Sequence, residues 1–104
     1  MDDTLKLIAI SYTKDDYGVQ RATEIAREIL CRKNSVTKSE FFACKQVGLS
    51  PEFVFDVAAI EYEGETEIEY RGKRYAIYRT YRQKDDDYIE LYAEQKRGVR
   101  KDET

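Results

Sequence analysis

The chain has no histidine and no tryptophan, a single proline and only five glycines in 104 residues. Without histidine the commonest general base is missing, and with it every Ser-His and Cys-His nucleophile pair. None of the glycines stands in a GxGxxG or a GxxxxGK context, so no phosphate-cradling loop is present. Cysteine is scarce too. Cys31 and Cys44 have neither CxxC nor metal-ligand spacing, and a zinc site would lack its histidines. No apolar run approaches the roughly 20 residues of a membrane helix. The start, MDDTLKLIAISY, has no basic segment leading into an apolar one, so no signal peptide is read and cytoplasmic synthesis with reduced thiols is expected. An excess of positive charge is also missing. The 18 basic and 21 acidic residues leave a net charge of -3, which offers no bulk field for a nucleic-acid backbone. No enzymatic role and no cofactor are expected from this inventory.

What is present is aromatic and charged. Nine tyrosines and four phenylalanines exclude a disordered chain, which would be poor in aromatics. Charged residues at 38% against 41% hydrophobic describe a small core under a densely charged surface. The length suits one domain over residues 1–104, with an ordered core at about 5–95. Residues 96–104, carrying Lys96, Arg97, Arg100 and Lys101, read as a solvated flexible tail.

Strand patterns open and close the chain. Leu5, Leu7, Ala9 and Ser11 alternate with Lys6, Ile8, Ile10 and Tyr12, which makes a strand buried along most of its length. The stretch Thr13 to Gly18 is a turn. Val19 to Lys33 is ambiguous. Val19, Ala22, Ile25, Ala26, Ile29 and Leu30 fall at helical spacing, while its second half also alternates as a strand. A polar stretch, Asn34 to Glu40, offers Thr37 or Ser39 as a helix cap, with Glu40 completing a capping-box spacing from Thr37. The helix over Glu40–Val47 stops at Gly48, just short of Pro51. At about two turns it is marginal alone and needs packing or a partner to hold it. From Glu52 onward short strands recur, with turns at Glu63-Gly64-Glu65, Arg71-Gly72-Lys73 and Gln83–Asp87. The pattern predicts a mainly β fold, a sandwich or a small barrel of short antiparallel strands, with a long connection carrying a short helix.

Three features invite a functional reading. Asp85-Asp86-Asp87 lacks the glycine and distal glutamate of a calcium loop and reads as a charged hairpin tip. Glu61, Glu63, Glu65, Glu67 and Glu69 alternate as one strand face, either solvated and edge-protecting or set against a basic partner. Tyr70, Tyr75, Tyr78, Tyr81, Tyr88 and Tyr92 interleave with Arg71, Arg74, Arg79 and Arg82. Such residues fill small β cores, populate protein interfaces, or stack single-stranded bases. The last use makes a nucleic-acid-binding barrel the alternative reading.

The order of these segments resembles a known family. Ser39-Glu40-Phe41-Phe42 is followed by Gly48-Leu49-Ser50-Pro51-Glu52-Phe53. Tyr70-Arg71-Gly72-Lys73-Arg74-Tyr75 precedes Arg79-Thr80-Tyr81 and Ile89-Glu90-Leu91. Over residues 5 to 94 this resembles the head-closure (stopper, or head-tail adaptor) proteins of tailed bacteriophages. The resemblance implies a small antiparallel β-barrel, here of about six strands with a long loop carrying the short helix, and makes Arg27–Val36 a strand, leaving Val19–Ala26 open. It implies a component of the virion head-tail connector, made in the bacterial host cytoplasm, that docks under the portal and adaptor proteins after packaging. There it would close the channel near the packaged DNA and offer a surface to the tail-completion protein. Copies would form a ring on the connector and be monomeric when isolated. The 37–50 loop, with Ser39, Glu40, Phe41, Phe42, Lys45, Gln46 and Val47, would face the channel or a neighbour. Glu65, Glu67 and Glu69 of one copy would meet Arg71, Arg79 and Arg82 of the next.

Overall fold

In the computed structural model, residues 2–96 are described. They form six strands: Asp3–Lys14 (β1), Gln20–Ser35 (β2), Pro51–Ala58 (β3), Glu67–Tyr70 (β4), Lys73–Tyr81 (β5) and Tyr88–Gln95 (β6). One helix, Lys38–Gln46 (α1), lies in the connection from β2 to β3, and a 3-10 turn, Ala59–Glu61, follows β3. All strand neighbours are antiparallel, and the sheet closes in the order β1-β2-β3-β6-β5-β4. Of the sandwich and the barrel that the pattern leaves open, this is the barrel, with the helix-bearing loop that the resemblance implies. Of the expected tail, residues 97–104 lie outside the described residues.

The barrel is filled by the alternation written into its strands. Leu5 and Leu7, Ile29 and Cys31, Phe55 and Val57, Ile68 and Tyr70, and Leu91 and Ala93 step two residues at a time into one core, joined by Tyr75. Phe53, Phe55, Tyr70 and Tyr75 form its aromatic end, with ring centroids 4.9 to 6.3 Å apart at tilted or edge-on angles. Lys33 covers that end, its ammonium 4.5 Å from the Phe53 ring centre. The Tyr70 hydroxyl donates to the Asp3 carboxylate, which satisfies its polar tip where the core meets solvent. Arg71 and Gly72, at φ of 51° and 80°, make the tight left-handed turn between β4 and β5.

Residues 20–35 are strand throughout, against the helical spacing of Val19–Lys33. Twelve register pairs, from Asp3↔Cys31 to Lys14↔Gln20, tie β2 to β1. The apolar spacing does not mark a buried face, since Val19, Ile25 and Leu30 are each more than half exposed. Long-range pairing has overridden local helix propensity.

Beyond the barrel, β1 and β2 continue as a two-stranded arm. β4 pairs with β1 only over Lys6–Ile8, and β3 pairs with β2 only over Arg32–Ser35. From Ala9 to Lys14 and from Gln20 to Ala26 each strand therefore has one neighbour among the described residues.

Candidate interaction surface

The helix begins where the capping signal predicts. Thr37, not Ser39, is the cap: its hydroxyl oxygen accepts the Glu40 N–H at 3.2 Å. At the other end Gly48, at φ of 85°, donates to the Lys45 carbonyl, and Leu49 donates to that of Cys44 at 2.9 Å. This double bond past a left-handed glycine is the Schellman stop, and it ends the helix before Pro51.

The polarity of α1 is reversed from that of an ordinary surface helix. Glu40 and Cys44, one turn apart, face the barrel, and Cys44 is buried. Lys38, Phe41, Phe42 and Lys45, spaced i, i+3, i+4 and i+7, share the opposite face. Phe42 is 62% exposed and Val47 73%, while Phe41 is partly covered and meets Phe42 edge-on at 5.8 Å. Ser39 and Gln46 are exposed as well.

A charged clamp holds this orientation. The Glu40 carboxylate accepts two bonds from Arg79, at 2.8 and 3.3 Å, one from the Tyr78 hydroxyl at 2.9 Å and one from the Cys44 thiol at 3.4 Å. Arg79 lies 3.8 Å above the Tyr92 ring, and Tyr78 meets Tyr92 edge-on. Two consecutive side chains of β5 reach the same carboxylate because the strand is bulged there. Ile77 pairs with Ala93 and Arg79 with Tyr92, leaving Tyr78 as the extra residue. The Arg79 hydrogen bonds, opposed by partial burial and aided by Tyr78 and Cys44, bring the Glu40 carboxyl down to about 2. Burial, with Glu90 beside it, pushes the Tyr92 hydroxyl up to about 12.

The expected acidic face takes a different form. Glu61 is in the 3-10 turn and Glu63 in a loop, so only Glu67 and Glu69 alternate on a strand. Glu65 and Glu67, expected at a subunit contact, are each 7% exposed and paired within the chain. Glu65 is 2.7 Å from Arg27. Glu67 is 2.9 Å from Arg74 and also bonds Lys96. Burial raises both carboxyls, and these partners more than reverse it, leaving both below the ordinary value. Glu69 is half-buried, 3.8 Å from Arg74. Arg71 bonds Asp3, Arg79 bonds Glu40, and Arg82 donates to the Asp86 carbonyl at 2.8 Å. The charges that the sequence sets between copies do not pair with one another inside the chain, but each finds another partner there: Arg27 for Glu65, Arg74 for Glu67 and Glu69, and Asp3, Glu40 and the Asp86 carbonyl for Arg71, Arg79 and Arg82.

Tyr70 and Tyr75 are core, and Tyr78 and Tyr92 pack against the Glu40–Arg79 clamp. Of the tyrosines in the last strands, Tyr81 and Tyr88 remain exposed. Among the described residues no three acidic or cysteine side chains converge as metal ligands, and no helix is long and apolar enough to cross a membrane. Sequence reasoning missed Tyr78 as a partner of Glu40 and Tyr92 as the ring under Arg79. No local signal marks them, since the contacts of Glu40 with Tyr78 and Arg79, 38 and 39 residues away, are set by closure and by the bulge. Cys44 is different: it stands one turn along the same helix, at an i+4 spacing that the sequence does show. Compared with known proteins, the chain matches no family model and no curated protein.

Proposed function

We propose that this protein is a structural assembly module, a component of a phage or prophage head-tail connector that docks under the portal and adaptor proteins and closes the DNA channel. The observation that carries the reading is the orientation of α1. A helix whose phenylalanines point to solvent, fixed to the barrel through a carboxylate, is built to present an apolar surface to something else. Its place supports the same reading. It sits in a connection of about fifteen residues, long for a barrel of this size, in the segment where the resemblance to head-closure proteins puts the partner-facing loop. The barrel supplies a rigid base, and the loop supplies the contact.

The test is co-sedimentation of the purified protein with portal-adaptor complexes from DNA-filled heads. The intact chain is expected to bind and to retain DNA in the heads, and a Phe41→Ser/Phe42→Ser variant to let it leak. A well-folded intact chain that does not bind sinks the reading.

A further inference from the structure

The same molecule that displays the Phe41–Phe42 face also carries an opening shaped to receive one. Above the short β2–β3 register, Arg32–Ser35, the two strands part, and the chain leaves β3 into its 3-10 turn. The Ala59 N–H bonds to the Asp87 carbonyl at 2.8 Å, which draws that turn toward the start of β6. The result is a cleft of about 450 Å³ lined by Glu28, Ile29, Leu30, Ala58, Glu61 and Tyr88. Its size falls in the roughly 300–1,000 Å³ range of pockets that enclose organic groups. Leu30 is 58% exposed on its wall, Tyr88 48%, and Ile60 beside it 89%. No residue of α1 lines it, so the helix does not fill the cleft of its own chain.

The charges at the two places are opposite. On the helix, Lys38 and Lys45 bracket the two phenylalanines, and neither makes an ion pair among the described residues. Lys45 reaches only the Phe41 ring, 5.7 Å from its centre. Around the cleft the balance is acidic. Glu28 makes no ion pair among the described residues, and one guanidinium, Arg27, serves Glu61, Glu63 and Glu65 at 3.4, 3.8 and 2.7 Å. Two aromatic rings flanked by free cations thus match a partly apolar cleft rimmed by surplus carboxylates, in apolar character and in sign.

We propose that the Lys38–Lys45 face of α1 in one copy seats in the β2–β3 cleft of a second copy, with Phe41 and Phe42 against Leu30 and Tyr88 and with Lys45 beside Glu28. The knob and the cleft are different surfaces, so the contact is heterologous and repeats from copy to copy, giving a ring where the rotation closes. The inference deepens the assembly reading and rests on it for the setting in which the ring is used. The contact itself is tested on the purified chain alone, where the isolated monomer that the resemblance implies gives way to association as concentration rises.

Sedimentation velocity at low salt, from micromolar to millimolar protein, is the measurement. The wild-type chain is expected to show a sedimentation coefficient that rises with concentration. Phe42→Ser, at an exposed position that the barrel does not need, is expected to abolish the rise with its melting temperature unchanged. Lys45→Glu and Glu28→Lys are each expected to weaken association about tenfold. Mixing those two single variants restores opposite charges at every contact and should bring association back. A wild-type chain that stays monomeric at millimolar concentration overturns the proposal, as does undiminished association of Phe42→Ser or a mixture no better than its components. A monomer that binds anionic lipid vesicles through Phe42 would assign the face to a membrane surface instead. Failure here with intact binding to filled heads removes the cleft contact and leaves the connector reading standing. Association without head binding does the reverse.

Discussion

Glu40 shows how much one residue is asked to do. On a helix too short to be stable alone, it is the side chain that turns α1 toward the barrel, and Arg79 is its main partner. Its carboxyl is lowered from the ordinary 4.5 to about 2, so its contribution to docking is fully present above about 4.5 and is lost as the pH falls through about 2. Helix docking, followed by NMR shifts of Phe41 and Tyr78, should be flat from neutral pH to mild acid and fade only in that lower window. Glu40→Gln should abolish the acid step. Docking that weakens near pH 6 would contradict the clamp. Arg74, nearer the start of the same strand β5, is the matching case, 3.1 Å from Glu24 and 2.9 Å from the buried Glu67. Arg74→Ala leaves Glu67 with Lys96 as its remaining ion-pair partner, and should cost about 1–3 kcal/mol in chemical denaturation. A loss near zero would mean that Lys96 suffices. Glu40, Glu67, Arg71 and Arg79 all stand out in the sequence as charges with a purpose, but their partners do not. Sequence spacing pairs neighbours along a strand or helix, whereas these pairs are made by barrel closure and by one extra residue, Tyr78, that no propensity reveals.

At the scale of elements, the β1–β2 arm and α1 were legible to different degrees. The helix could be read closely because its signals are local: a Thr37 cap, a Gly48 stop and a proline beyond. Strand β2 could not, because Ala, Glu, Arg and Leu at helical spacing express intrinsic preference, while the element is decided by twelve pairings with β1. The arm keeps a trace of that conflict. Beyond Ile8 and before Arg27 it has no third strand, and a two-stranded ribbon is marginal in water. Amide hydrogen exchange should therefore divide β1 in two. Ser11 and Thr13, with Thr23 and Arg21 across from them, are expected to exchange orders of magnitude faster than Leu5, Leu7, Phe55 and Leu91, which lie in the closed barrel. Equal protection along all of β1 would show that the arm has a neighbour in solution. The measurement should then be repeated across protein concentrations, since protection that rises with concentration comes from a second chain.

For the whole molecule, the division is between an interior that holds the fold and an outside that meets partners. The alternations and turns indicated a sandwich or a small barrel of short antiparallel strands, and the chain closes as the barrel. The order β1-β2-β3-β6-β5-β4 was beyond reach, because placing β6 between β3 and β5 depends on which strands find each other across long separations. Phenylalanine occurs on both sides of the division. Phe55 is fully buried at the aromatic end of the core, within 4.9 Å of Tyr70 by ring centres, and Phe42 is mostly in solvent. Both residues read as apolar, and nothing in their immediate sequence says which one is core. Phe55→Ala should cost about 3–5 kcal/mol, since it removes a buried ring and leaves a cavity that a closed barrel cannot easily collapse. Phe42→Ser should stay within about 0.5 kcal/mol of wild type. The two variants should separate oppositely in a paired experiment of thermal melting and head co-sedimentation. Phe55→Ala lowers the melting temperature and, below it, still binds in proportion to its folded fraction. Phe42→Ser melts as wild type and does not bind. If Phe42→Ser instead lost as much stability as Phe55→Ala, the helix face would be a lid on this barrel, and its exposure would have no partner to explain.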